Sequence, residues 1–294
     1  MNHRTAFHPG AGGRAIFWQS WSQLPPRAVV VIVHGASEHS GRYEHVARRL
    51  VAEGCAVYAG DHRGHGRSAG PRALLDRMTH AVSDLDQLVV LAAGEHPGVP
   101  VFMLGHSMGA TVALRYAITR RQPDRLAGLI LSGPLAALEA AGGRDRFMRL
   151  ASRLLSALVP RLPLVSIDAS LVSRDPEVVR EYTADPLVHH GRLPARTVAE
   201  LAAAIKSFPT AVAAIRVPTL ILYGSADRLC PVAGSQMLGE RIGADDKLVK
   251  AYDGLYHEIL NEPEHEAVLA DICAWLSTRV SAAAGRGAAG SVIA

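Results

Sequence analysis

Ser107 lies in Gly105-His106-Ser107-Met108-Gly109, a G-x-S-x-G pentapeptide. In such a segment a sharp strand-to-helix turn presents the serine hydroxyl, and a glycine two places to either side lets neighbouring backbone pass without a Cβ clash. In a chain with 27 glycines the motif alone is a weak signal, and Gly66-Arg67-Ser68-Ala69-Gly70 fits it equally well. Context separates the two. Ser107 follows an apolar run directly and opens an amphipathic stretch, whereas Ser68 sits in a glycine-rich loop that continues into Pro71. Ser107 is therefore predicted to be a nucleophile and Ser68 a turn residue.

A nucleophilic serine needs a base, and the base needs a carboxylate to fix its tautomer and stabilise the imidazolium. On a strand-turn-helix scaffold of this type the order is Ser, Asp, His. Asp227, in Gly224-Ser225-Ala226-Asp227-Arg228, follows the apolar run 219–223, and His257, in Gly254-Leu255-Tyr256-His257-Glu258, follows the run 248–252. Both fall at the carboxyl ends of predicted strands, where ligands collect in open α/β sheets. Position selects His257 from 14 histidines: His34, His62, His65 and His106 read as structural, and His96 and His265 as solvated surface. The rival carboxylate Asp253 reads as a turn residue. The oxyanion of an acyl-transfer reaction requires two N–H donors. Met108, after the nucleophile, and Ala36, in His34-Gly35-Ala36, are assigned to it, an ordinary strand-ending turn being the alternative for the second.

Positioning these residues requires a mostly parallel sheet with helices on both faces. Unbroken apolar runs at 28–33, 55–58, 101–104, 126–131 and 219–223 read as strands buried on both sides. Helical patterns at 43–53, 80–95, 108–120, 234–242 and 264–280 alternate with them, and 15–21 reads as an antiparallel edge strand. This rhythm stops over 133–214, which shows helical patterns, notably at 144–158, and no convincing strand. The organisation expected is a core of 14–132 and 215–280, a helical insertion over 133–214 that reads as a cap above the site with a helical satellite as the alternative, and a disordered tail over 281–294.

Composition excludes several classes. Lys and Arg total 31 against 27 Asp and Glu, a net +4, with no basic block for nucleic acid. Cys55, Cys230 and Cys273 are far apart and make no C-x-x-C, against a disulfide framework or a structural zinc and in favour of a reducing, cytoplasmic setting. No run has the length of a signal peptide or a membrane span, so the protein is expected to be soluble or at most peripheral to a membrane. No metal or cofactor is required by the chemistry, and nothing in the sequence sets an oligomeric state.

Together the motifs resemble the monoacylglycerol lipases, within the lysophospholipase-like α/β-hydrolases, over most of 28–280. The resemblance rests on 34–43 (HGASEHSGRY), 61–68 (DHRGHGRS), the Ser107 pentapeptide, Asp185-Pro186-Leu187 and 224–230 (GSADRLC). It implies the α/β-hydrolase fold, a cap with a hydrophobic channel for one acyl chain, a small polar pocket for glycerol, and a lipid ester substrate. Glu38 and Arg42 match the positions around the glycerol end, and Tyr182 matches a cap tyrosine beside it. Read without the resemblance, Glu38 and Arg42 are a surface ion pair or a helix-start feature. Cys230, three residues after Asp227, reads as a small buried residue, with a reactive thiol as the alternative. The reaction expected is acyl transfer from a monoacylglycerol through Ser107. A lysophospholipase, a short-chain carboxylesterase, an aminopeptidase on the same scaffold and a non-catalytic binding module are the rivals.

Overall fold

The run Ala-Val-Val-Val-Ile-Val forms β3 (Ala28–Val33), every residue of which is buried. Its side chains alternate between two cores. Val29, Val31 and Val33 join the cluster under one helical layer, and Ala28, Val30 and Ile32 join the cluster under the other. This period of two, apolar in both phases, is why no polar residue interrupts β3. The computed structural model describes residues 1–23, 25–119, 125–138, 156 and 158–290.

The other strands of the sheet are β1 (Asn2–Pro9), β2 (Ala15–Ser22), β4 (Cys55–Gly60), β5 (Val101–His106), β6 (Gly128–Ser132), β9 (Thr219–Gly224) and β10 (Lys247–Tyr252). Their order is β1-β2-β4-β3-β5-β6-β9-β10, antiparallel at β1/β2 and β2/β4 and parallel elsewhere. The α/β-hydrolase expectation is met, with one correction at the amino-terminal side. The stretch 15–21 is antiparallel as expected but is not the edge, because β1 pairs outside it along its whole length from Asn2↔Ser22 to Pro9↔Ala15. β1 is largely exposed, so its sequence carries no apolar alternation to betray it. Its anchors are local: His3 stacks on Trp21 at 5.0 Å, and Phe7 meets Phe17 edge-on at 5.5 Å.

Helix α1 (Glu44–Ala52) covers one face together with the long carboxyl-terminal helix α7 (His265–Gly290). The other face is covered by α2 (Met78–Glu95), α3 (Met108–Thr119) and α6 (Val232–Arg241). Between β6 and β9 the chain leaves the main sheet and forms the short antiparallel pair β7 (Pro163–Val165) and β8 (Leu193–Pro194), then α4 (Pro176–Ala184) and α5 (Ala195–Ala211). A small cluster of Val172, Tyr182 and Val188 forms its own core. Helix α5 differs from a pure insertion element, since Leu201, Ala204, Ile205 and Phe208 pack into the main core. The predicted helix at 144–158 lies outside the described residues except for Ser156 and Leu158. The last helix runs ten residues past Val280, where the domain was expected to end, to Gly290. Alanine, the best helix former, dominates that stretch and propagates a helix already nucleated on the core.

The approach of α3 to β3 sets the tightest tolerance in this layer. A Cβ on Gly109 would fall far inside contact distance of the carbonyl oxygens of Val33 and His34. Gly109→Ala is expected to lower stability by about 3 kcal/mol, the scale of a backbone-displacing overpacking defect, read as a fall in the thermal midpoint. A midpoint equal to the parent's would show that the helix can withdraw freely.

Candidate active site

Ser107 occupies the single residue between β5 and α3 with φ of 53°, in the left-handed region that a residue with a side chain rarely adopts. Its N–H donates to Ser132 O at 3.0 Å, and both glycines of the pentapeptide are sterically required. A Cβ on Gly105 would lie 2.8 Å from Ala110 Cα, and the constraint at Gly109 has been given above. Ser68 has a different role: its hydroxyl donates to Asp61 O at 2.7 Å and accepts from Phe17 N–H at 2.9 Å, tying a loop to β2.

Asp227 lies beyond β9 and His257 beyond β10, and His257 Nδ1 donates to Asp227 Oδ2 across 2.8 Å, both side chains being buried. Asp227 Oδ1 accepts the N–H groups of Leu229 and Cys230, each at 2.9 Å. Glycines again make room. A Cβ on Gly224 would strike the backbone oxygens of Leu255 and Tyr256, and one on Gly133 would come within 3.3 Å of His257 Nδ1. Asp253, the rival carboxylate, instead accepts from Ser225 Oγ at 3.1 Å on the surface.

Burial, the strongest influence on His257, disfavours its charged form; the Cys230 sulfur and the Asp227 carboxylate outweigh it and hold the ring pKa well above the ordinary value. Burial likewise favours protonation of Asp227, but the His257 pairing and the backbone donors keep it below the usual carboxylate range. Ser107 Oγ lies 3.8 Å from Cys230 Sγ, and among the described residues there is no hydrogen bond between Ser107 and His257. Catalytic hydrogen bonds of this kind are often long before substrate binds. Asp227, Cys230 and His257 bring a carboxylate, a thiol and an imidazole within 4.8 Å of one another, a donor set for a soft divalent cation. The Asp227 oxygens and His257 Nδ1 are already engaged with hydrogen-bond partners, so any ion there would compete with the dyad.

Gly35, Ala36, Ser107, Cys230 and His257 face one cavity of about 430 Å³. Leu135, Leu138, Val165, Val172, Val198 and Leu201 give it a largely apolar lining, and Glu38, Tyr182 and Glu258 also line it. Met108 opens α3, so its N–H is among those that a helix leaves without an intrahelical acceptor.

The family model described as serine aminopeptidase, S33 matches residues 24–264. The monoacylglycerol lipase of Mycolicibacterium smegmatis is 45% identical over 268 residues, covering 91% of this chain and 94% of that protein. The chain belongs to the monoacylglycerol lipase family of carboxylic ester hydrolases. The monoglyceride lipase of Homo sapiens is 38% identical over 93% of this chain and 90% of its own. The crystal structure of Paleococcus ferrophilus monoacylglycerol lipase superposes with a TM-score of 0.78 at 32% identity, covering 95% of this chain and all of that one.

Within this family frame, the Glu38 and Arg42 pair is where reading residues singly goes astray. It is buried rather than superficial. Arg42 Nη1 donates to Glu38 Oε2 at 2.8 Å and to Glu258 Oε1 at 2.7 Å, while Nη2 donates to Glu258 Oε2 at 2.7 Å. The guanidinium also stands 4.8 Å from the centre of the Tyr182 ring. Glu38 and Tyr182 thus line the cavity, and Arg42 lies behind them, bound to two carboxylates. Glu258 escapes sequence reading; the available signal is a charged residue next to His257 in a loop that must be buried. His96, predicted to be solvated, is also buried, its ring nitrogen 3.0 Å from Tyr58 Oη.

Replacing Arg42 by Met is expected to cost about 3–5 kcal/mol, because two carboxylates stay buried without their cation; retained stability in a denaturant titration would show that the site is wet. Burial pushes Glu258 up, but Arg42 outweighs it and holds it down at about 2, from an ordinary 4.5. Its contribution is therefore complete above the ordinary value and disappears as pH falls towards 2. For the dyad, Asp227→Asn is expected to lower kcat by about 10⁴ and to move the acid limb of kcat/KM to lower pH. A neutral His257 ring acting as base would lose activity as pH falls through its raised pKa, which the Asp227 carboxylate helps to raise. An unmoved limb in a pH-rate series on a soluble ester would contradict the assignment.

Proposed function

We propose that the protein hydrolyses monoacylglycerols to fatty acid and glycerol, with Ser107 as nucleophile, His257 as general base and Asp227 as the carboxylate that orients it. The observation that carries this reading is that Ser107 and His257 line one cavity together with apolar side chains and with Glu38, Tyr182 and Glu258, matching an acyl chain and a polyol. Ser107 Oγ attacks the ester carbonyl as its proton passes to His257 Nε2. The tetrahedral oxyanion is held by the N–H groups of Ala36 and Met108. Collapse expels glycerol, which takes the proton from His257, and leaves Ser107 acylated. Water then attacks the acyl-enzyme with His257 again as base, and the fatty acid leaves.

The charges at the polar side favour a neutral head group. Glu38 and Glu258 together outnumber Arg42, which disfavours a phosphate there; the exposed Arg228, also lining the cavity, is the feature that speaks for a lysophospholipid. We assign the inserted segment of 133–214 a cap role over this cavity, since Val165, Val172, Tyr182 and Leu193 from it all reach the lining.

Leu138 and Val165, at the cavity, and Leu158 and Val159 nearby in the chain are exposed apolar side chains. They would place the cavity against a membrane surface bearing the substrate. No helix of the described residues is long and apolar enough to cross a membrane. The free, buried cysteines agree with a cytoplasmic setting.

Turnover of a monoacylglycerol series beside lysophospholipid and p-nitrophenyl esters tests the reading. Preference for monoacylglycerol, with kcat about 10⁶ lower in Ser107→Ala, is the expected result; activity confined to short p-nitrophenyl esters would remove the lipase assignment. Leu158→Asp combined with Val165→Asp is expected to reduce cosedimentation with phosphatidylcholine vesicles while sparing a soluble ester. Equal sedimentation would exclude this surface.

A further inference from the structure

The loop after β3 holds three of the four polar groups in the two peptide units around Gly35. His34 O faces His62 Nε2 at 3.1 Å, Gly35 N–H donates to Glu38 Oε1 at 2.6 Å, and Gly35 O faces His34 Nδ1 at 2.7 Å. The fourth group, the Ala36 N–H, has no acceptor among the described residues. It belongs to the same peptide unit as Gly35 O. In a planar trans peptide the C=O and N–H point in opposite directions, so drawing Gly35 O to the His34 ring turns the Ala36 N–H the other way. Gly35, Ala36 and Ser107 all face the cavity, and a Cβ on Gly35 would stand 3.3 Å from that of Ser107.

The proton arrangement of the ring follows from its partners. His62 N–H donates to His34 Nε2 at 2.9 Å, so Nε2 is an acceptor and the ring proton resides on Nδ1, where it meets a carbonyl that can only accept. His62 in turn donates from Nε2 to His34 O, and His65 donates from Nδ1 to Arg63 O at 3.0 Å. Burial first, and then the neighbouring rings of His62 and His65, keep His34 well below the ordinary histidine pKa, so the tautomer persists across neutral pH. A peptide flipped the other way would aim the Gly35 carbonyl dipole at the developing oxyanion and repel it.

We propose that His34 is a positioning residue for ester hydrolysis: its Nδ1–H tautomer holds the Gly35 carbonyl and thereby aims the Ala36 N–H at the oxyanion. This rests on the reading of Ala36 as an oxyanion donor given above.

Two substitutions in the full chain separate the functions of the ring. His34→Asn places an amide nitrogen near the position of Nδ1, keeping the donor to Gly35 O and losing the acceptor for His62. His34→Gln places its amide near Nε2, keeping the acceptor and losing the donor. On a soluble short-chain ester, His34→Gln is expected to lower kcat about 10- to 100-fold with KM within about twofold, approaching the loss of one oxyanion donor. It is also expected to weaken an alkyl trifluoromethyl ketone, which forms a hemiketal oxyanion with Ser107, by a similar factor. His34→Asn is expected to stay within about threefold of the parent in both. Equal losses in the two variants, or a loss in His34→Gln confined to KM or to the melting temperature, would overturn the proposal.

Nitrogen-15 imidazole NMR of the unsubstituted protein decides independently of how the variants fold. Nδ1 protonation at His34 is expected, and an Nε2–H tautomer would end the argument. Ser107→Ala distinguishes this proposal from the reading beneath it: activity surviving that change would remove the serine-hydrolase mechanism, whereas an inactive Ser107→Ala beside a fully active His34→Gln would remove only the role of His34.

Discussion

The close passage of the first turn of α3 beneath the end of β3 is the constraint from which the site follows. Only a glycine at 109 admits the Val33 and His34 carbonyls, and only a glycine at 105 admits the backbone of Ala110. Squeezed between those contacts, Ser107 adopts φ of 53°, a conformation that costs a residue with a side chain roughly 1–3 kcal/mol. The surrounding sheet overdetermines it, since β5 pairs with β3 and β6 on its two sides. The same approach brings Gly35 beside Ser107, a Cβ on the first lying 3.3 Å from that of the second, so the loop after β3 and the β5–α3 turn are positioned by a single packing event.

A second layer of support is electrostatic. Glu38 connects the Gly35 N–H to Arg42, and Arg42 connects to Glu258, the residue after His257. Tyr43 Oη adds a donor to Glu38 at 2.7 Å, and Asn261 Nδ2 one to Glu258 at 2.8 Å. Buried ion networks contribute little net stability against an apolar alternative, yet removing one member leaves a charge stranded. Their geometric effect here is specific: loops from the amino-terminal and carboxyl-terminal thirds of the chain are held in register by one guanidinium fork.

Legibility in the sequence followed the strength of the local physical signal. β3 is readable to the residue because all six of its side chains are apolar and buried, and Ser107 is separable from Ser68 because one follows an apolar strand directly. Asp227 and His257 are legible through chain order and loop position. β1 is not, because an exposed edge strand is specified by its partner's register and leaves no alternation of its own. The burial of Glu38, Arg42 and Glu258 is equally silent: Glu38 and Arg42 are only four positions apart, but Glu258 is 216 positions from Arg42, and only the fold brings the two together. The burial of His96 is silent in the sequence for a related reason, its cover coming from Tyr58, 38 positions earlier on β4.

The inserted segment is fastened to the loops that bear the catalytic candidates. Glu258 N–H donates to Val172 O at 2.8 Å, Ser173 Oγ to Asn261 O at 3.1 Å, and Arg174 pairs through Nε with Glu262 at 2.6 Å. On the opposite side His189 N–H donates to Ser37 O at 2.7 Å, and His39 pairs with Asp185 at 2.8 Å. Chimeric enzymes that exchange this segment between relatives to alter selectivity would therefore have to carry its anchoring residues and their loop partners as one inherited block; a segment transplanted without them would arrive with its seams open.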